Sequence, residues 1–341
     1  MTVNFDELLA PHGPVALTIR QPLVPALGEG AVVFPPTFAP AEGSAEAPNY
    51  LIDPIGDGNF IALIDSVGSQ ANRMEPIFQK PPYSKLVPQV TVEIGSRKLD
   101  LLEAGHRAAD AIVRFSDKAE VFQKAFEAIR DSGDSTRLAK IAPTSIVFGV
   151  WDSRLTQVKL PRLVEATVRA YGVQRITRSA QFFAALSKDE LAGISDNQKQ
   201  LSKEGLDDAP SGRLPGGVVA GKGIERQAIL NLVALRALSA SGETAANQLQ
   251  RYILGLSLIA FLAPAPLYLR QGCLLVEKGN AAAEAVYRDN QRAPFAVSLA
   301  EATKFAQSEA AAFGVGEGFT ARFEPGKAKE SIAKNAKKKG S

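Results

Sequence analysis

The order in which strand-like and helix-like patterns alternate constrains the fold of this chain more than any other feature. Residues 14–20 (PVALTIR), 59–65 (built around FIALID), 86–94 (LVPQVTVEI) and 144–151 (TSIVFGVW) are rich in β-branched residues, and this predicts strands. Helical spacing predicts helices over 66–78 and over much of 103–142, where Ile112, Phe115, Phe122, Phe126 and Ile129 recur. Further helices are predicted over 225–240, 244–262 and 298–313, two extended segments over 162–180 around Tyr171-Gly172, and short strands over 267–277. Strands, helices, strands and helices follow one another without a regular βαβ succession. That order predicts an α+β fold with a largely antiparallel sheet. There is no internal repeat.

Proline and glycine set the punctuation. Pro35, Pro36, Pro40 and Pro48 predict a loop or extended arm over 35–48. The polar, glycine-rich stretch 187–223 predicts a long mobile loop. With 45% hydrophobic residues in 341 positions, the core is large enough for one domain over 1–325. From Lys327 onward, Lys329, Lys334, Lys337, Lys338 and Lys339 stand against Glu330 alone, so 326–341 is expected to be a basic, disordered tail.

Scarce residue types exclude several chemistries. Cys273 is the only cysteine, which rules out an intrachain disulfide and a cysteine-based zinc site. His12 and His106 are the only histidines, which removes histidine-rich metal centres and most histidine acid–base catalysis. Neither a metal nor a cofactor is expected. No apolar run reaches the roughly 20 residues of a membrane span. The start of the chain lacks the order of a signal peptide, so a cytoplasmic location without membrane contact is expected. A net charge of +3 decides little, because the arrangement of cations matters more than their sum.

The segment 65–76 (DSVGSQANRMEP) carries the densest set of neutral donors, where a predicted strand gives way to a helix. Helix starts present free N–H groups to anions. Ser66, Ser69, Gln70, Asn72 and Arg73 supply side-chain groups of the kind that bind phosphate and sugar without proton transfer. Ser66, Ser69 and Arg73 share one helix face. A capped amphipathic helix with a solvated face explains the same residues equally well.

This run resembles the signature of a CRISPR-associated RAMP-superfamily group, the Cas-seven-type guide-RNA backbone subunit of type I effector complexes in its type I-U (I-G) form. The Ser69-Gln70…Arg73 core is similar to a Ser-Gln…Lys-Arg pattern in backbone subunits of other type I systems. The resemblance continues through Phe148-Gly149-Val150-Trp151-Asp152-Ser153-Arg154, Arg175-Ile176-Thr177-Arg178-Ser179-Ala180-Gln181, the glycine-rich 212–223 and Leu267-Tyr268-Leu269-Arg270-Gln271-Gly272-Cys273. It implies a modified RRM or ferredoxin-like palm with inserted helices and a projecting thumb. It also implies a non-catalytic role: copies line up along the guide crRNA within a larger complex, gripping its backbone and leaving the bases to pair with target DNA.

Other positions join the candidate RNA-binding set. Arg20 and Gln21 end the first predicted strand, and Arg154 ends another. Arg175 and Arg178 flank a strand-like segment, where alternation places them on opposite faces, and Arg178 is preferred for its Thr177 and Ser179 neighbours. Arg213 and Lys222 border GGVVAGKG at 216–223. That run nearly spells a phosphate-binding loop, but Gly223 stands where Ser or Thr would hold magnesium. A nucleotide hydrolase is therefore a weak alternative. A metal-dependent ribonuclease using Asp65 or Asp152 is the other, with Asp207-Asp208 read as solvated. Met74 and Trp151 are expected in the core.

Overall fold

A computed structural model describes residues 4–44, 48–191, 193–195 and 197–339 of the chain. α1 (Asp6–Leu9) precedes the long strand β1 (Ala16–Pro25), and the short strands β2 (Thr37–Phe38), β3 (Asn49–Tyr50) and β4 (Ile52–Pro54) lead to β5 (Phe60–Asp65). α2 (Val67–Met74) follows directly, and then the hairpin β6 (Val90–Ile94) and β7 (Arg97–Asp100). A helical block comprises α3 (Ala111–Arg114), α4 (Ala119–Ser132), α5 (Thr136–Ile141) and α6 (Thr144–Val147). Next come β8 (Val150–Trp151), β9 (Lys159–Leu160), β10 (Val164–Tyr171) and β11 (Val173–Phe182). α7 (Lys188–Leu191) and α8 (Gln198–Lys203) separate β11 from β12 (Ala209–Ala220), which turns into β13 (Ile224–Asn231). The remainder is α9 (Leu232–Arg236), α10 (Glu243–Leu262), β14 (Tyr268–Arg270), β15 (Cys273–Glu277), β16 (Ala282–Val286), β17 (Arg292–Pro294), α11 (Leu299–Phe313), β18 (Phe319–Arg322) and α12 (Pro325–Lys339).

The fold is α+β, built on a nine-stranded sheet whose main path runs β14-β15-β1-β13-β10-β5-β4, with β16 and β17 continuing from the first half of β1. Every pairing in this sheet is antiparallel. β13 explains why the sheet has two unlike faces. Ile224, Arg226, Ala228 and Leu230 are buried, while Glu225, Gln227, Ile229 and Asn231 between them stay partly open. Such alternation is the period of two expected of a half-buried strand.

The buried face packs on two apolar clusters. One gathers Leu17, Val164, Leu230 and the helices around α10. The other lines the inside of the curled sheet with Leu23, Ile64, Val168, Ile224, Cys273 and Leu275. Residues Tyr252 to Phe261 of α10 are buried all round, as a central helix requires. α10 and α11 approach so closely that a Cβ on Gly255 would lie 2.7 Å from Ala306 Cα. Tyr252 stacks on Phe313 at 4.7 Å, and its hydroxyl donates to the Leu86 carbonyl at 2.7 Å. Among the described residues no helix is long and apolar enough to cross a membrane.

Several expectations need correction. Of residues 144–151, Thr144–Val147 form the buried helix α6 and only Val150–Trp151 is a strand; a short apolar run cannot distinguish the two by pattern. The helix expected over 225–240 is instead β13 followed by α9, because β1 and β10 flank β13 and override its helix-forming residues. The stretch 187–223 is not a loop. α7 and α8 cap a long ribbon made by β11 and β12, in which Leu191 and Leu201 are buried. The tail expected to be disordered forms α12 as far as Lys339.

Candidate nucleic-acid interface

The segment 65–76 closes the sheet on itself. Asp65, at the end of β5, is 1% exposed. Its carboxylate accepts from Ser69 Oγ at 2.9 Å, Gln70 Nε2 at 2.7 Å and Arg73 Nε at 3.1 Å. A fourth donor is Arg270 NH2 at 2.9 Å, from β14 at the opposite end of the sheet. Arg73 also reaches across, donating to the Leu269 carbonyl at 2.5 Å. Thus β5 and the helix that follows it are joined by side chains to β14, a strand with which β5 never pairs. Inside the curl, Gln70 Oε1 accepts from Arg226 Nε at 3.0 Å. Arg226 has no carboxylate within hydrogen-bond reach among the described residues, and burial pushes its guanidinium down to about 10, still charged at neutral pH. Cys273 lies beside this knot, where burial pushes its thiol up to about 11.

The predicted set therefore divides. Ser66 caps α2 through the Ser69 N–H at 3.3 Å. Ser69, Gln70 and Arg73 are engaged in the knot, although Arg73 remains a quarter exposed. Asn72 is exposed and accepts weakly from Arg107 at 3.4 Å. Arg107 itself forms a buried pair with Glu75 at 2.7 Å. The other Glu75 oxygen has no hydrogen-bond partner among the described residues, and burial pushes this carboxyl up to about 7 against the pull of Arg107.

The outward face of the sheet is different in kind. Glu165, Arg169 and Tyr171 of β10 stand beside Glu225, Gln227 and Ile229 of β13, all partly exposed. Two clefts cross this face, of about 670 and 500 Å³, and Arg20 lines both. Arg20 lies within β1 rather than at its end, and its Nε contacts both Glu225 oxygens at 3.1 Å, which holds the guanidinium above its usual range. Gln227 donates to Tyr171 Oη at 3.0 Å. Gln21, the neighbour of Arg20, is buried on the other face and donates to Glu277 at 2.7 Å. Arg169 bonds only the Thr167 hydroxyl, at 2.9 Å, and Lys222 has no side-chain partner among the described residues. Lys222 lines the larger cleft. Cations and carboxylates nearly balance here, so Arg169 and Lys222 are the charges left for a ligand.

The glycine-rich run is a strand and a turn, which removes the phosphate-loop geometry: β13, not a helix, follows Gly223. Its glycines serve packing. A Cβ on Gly217, at φ 104°, would lie 2.3 Å from Val32 Cγ1, where residues 32–34 cross β12. Arg213 lies in β12, with its side chain outside the described residues. Alternation separates Arg175 from Arg178 along β11, yet both reach the same 34–50 segment: Arg175 donates to Asn49 Oδ1 at 2.5 Å, and Arg178 lies 5.7 Å over the Phe34 ring. The aspartates are committed too. Asp152, 5% exposed, accepts from the Leu155 and Thr156 N–H groups and the Thr156 hydroxyl. No group of three or more metal-ligating side chains is present among the described residues.

Residues 17–175, from β1 to the start of β11, match the family of CRISPR-associated protein GSU0053. Over this region the chain is similar to a CRISPR-associated family. No curated protein matches it. The matched region holds Arg20, Asp65 and Gln70, whereas their respective partners Glu225, Arg270 and Arg226 lie beyond it. Sequence reasoning missed Arg169, Arg226 and Trp151. Arg169 and Arg226 sit in runs with no motif around them. Trp151 was expected in the core and is 56% exposed instead, with Arg154 nearby and also exposed.

Proposed function

We propose that this protein is the guide-RNA backbone subunit of a type I CRISPR effector complex, non-catalytic, with copies of the chain assembling along the crRNA beside other subunits. In this reading the curled sheet is the palm of an RRM-like fold running to residue 325. The β11–β12 ribbon is the thumb, and α12 is a basic extension. The outward sheet face grips sugar and phosphate through Arg20, Arg169 and Lys222, and target DNA meets the protein only through the guide. The observation that carries the reading is this polar, half-open sheet face with spare cations, on a chain whose residues 17–175 match a CRISPR-associated family.

A metal-dependent ribonuclease gains no support, because Asp65 and Asp152 spend their oxygens on internal donors. The test is light scattering after size-exclusion chromatography, with and without RNA of guide length. RNA-dependent growth to a defined multimer, with the RNA intact, is expected. A monomer indifferent to RNA, or cleavage of the strand, would reject the proposal.

A further inference from the structure

The β8–β9 hairpin presents a surface that the sheet face does not explain. Trp151 is the only tryptophan of the chain, and 56% of it is exposed. Its registered neighbour across the hairpin is Lys159, whose Nζ sits 5.5 Å from the ring centroid. Arg154 in the turn and Arg162 just after β9 are exposed and have no acidic partner among the described residues. The one acid of the hairpin, Asp152, faces inward and holds the turn by accepting from the Thr156 N–H at 2.9 Å and its hydroxyl at 2.8 Å. The hairpin therefore presents an exposed aromatic ring with Lys159 against it, two further exposed cations, Arg154 and Arg162, on the same segment, and its own carboxylate turned inward.

An apolar protein partner would not need the cations, and a phosphate alone would not need the ring. A polyanion whose units carry π-faces uses both, since bases stack on aromatic side chains while cations hold the backbone. We infer that Trp151 is a stacking platform for one unpaired base of a single-stranded nucleic acid, with Lys159, Arg154 and Arg162 on the flanking phosphates. The inference rests on the proposal that the chain binds RNA, and adds a second contact away from the sheet. Stacking is tolerant of base identity, so the platform adds affinity without sequence preference.

Because Trp151 is the sole tryptophan, its fluorescence reports this site alone. The full-length protein is titrated with oligouridylate of guide length and with an abasic strand of the same length. Emission and, separately, anisotropy of a dye on the strand are followed. Expected are binding by anisotropy with both strands, quenching of Trp151 by oligouridylate only, and a roughly tenfold or greater loss of oligouridylate affinity in Trp151→Ala that Trp151→Phe largely restores. Binding with no quenching and with unchanged affinity in Trp151→Ala would overturn the platform while leaving the RNA-binding proposal standing. Equal quenching by the abasic strand would also overturn it. Absence of any binding by anisotropy would overturn the RNA-binding proposal, and the platform with it. Exposure of the ring makes loss of folding in the alanine variant easy to exclude by circular dichroism.

Discussion

Asp65 answers two guanidiniums, an amide and a hydroxyl with one carboxylate. Removing a buried partner of this kind leaves uncompensated charge, which typically costs about 3–5 kcal/mol. Asp65→Ala is therefore expected to lose stability on that scale in urea denaturation, with the loss shared by Arg270→Ala and not additive in the double variant. Glu75 gives a pH signature. Its folded carboxyl titrates near 7 rather than 4.5, so the folded state holds a proton that the unfolded state has released between those values. Its stabilising contribution is present below that window and is lost as pH rises through it. Melting temperature is expected to fall from about pH 5 to about pH 7 in the parent and to fall less in Glu75→Gln. The unusual polarity of 65–76 was legible in the sequence. Its direction was not, because Arg226 and Arg270 lie 156 and 205 positions away from the groups they bond.

Among elements, α10 and β13 show what local pattern does and does not settle. α10 was legible because its apolar run and the following Pro264 mark a buried helix and its end. β13 was not, because its sequence suits a helix until two neighbouring strands claim its hydrogen bonds. Within α10, Gly255→Ala sets two effects against each other. Alanine gains about 1 kcal/mol in helix propensity, whereas its methyl would meet Ala306 at 2.7 Å and force the helices apart, an overpacking cost of about 1–3 kcal/mol. The contact involves backbone, so packing is expected to win, and the variant should melt at a lower temperature than the parent in differential scanning calorimetry.

For the whole molecule, a net charge of +3 hides where spare cations stand. If the sheet face grips phosphate, Arg169→Ala and Lys222→Ala should each lower the slope of log affinity against log salt by about 0.7, similarly for every RNA sequence. Filter binding over a salt series measures this, and a change in sequence preference instead would contradict it. The seam of the curled sheet has a different consequence, for the order in which the chain is made. β1 borders strands at 224–231, 273–277 and 282–286, and Asp65 must wait for Arg270. During synthesis the first strand emerges from the ribosome long before any of its partners, and its edges stay unpaired over that interval. A nascent chain of this kind depends on protection from its neighbours on the same message, and it can close only when nearly all of it has been translated.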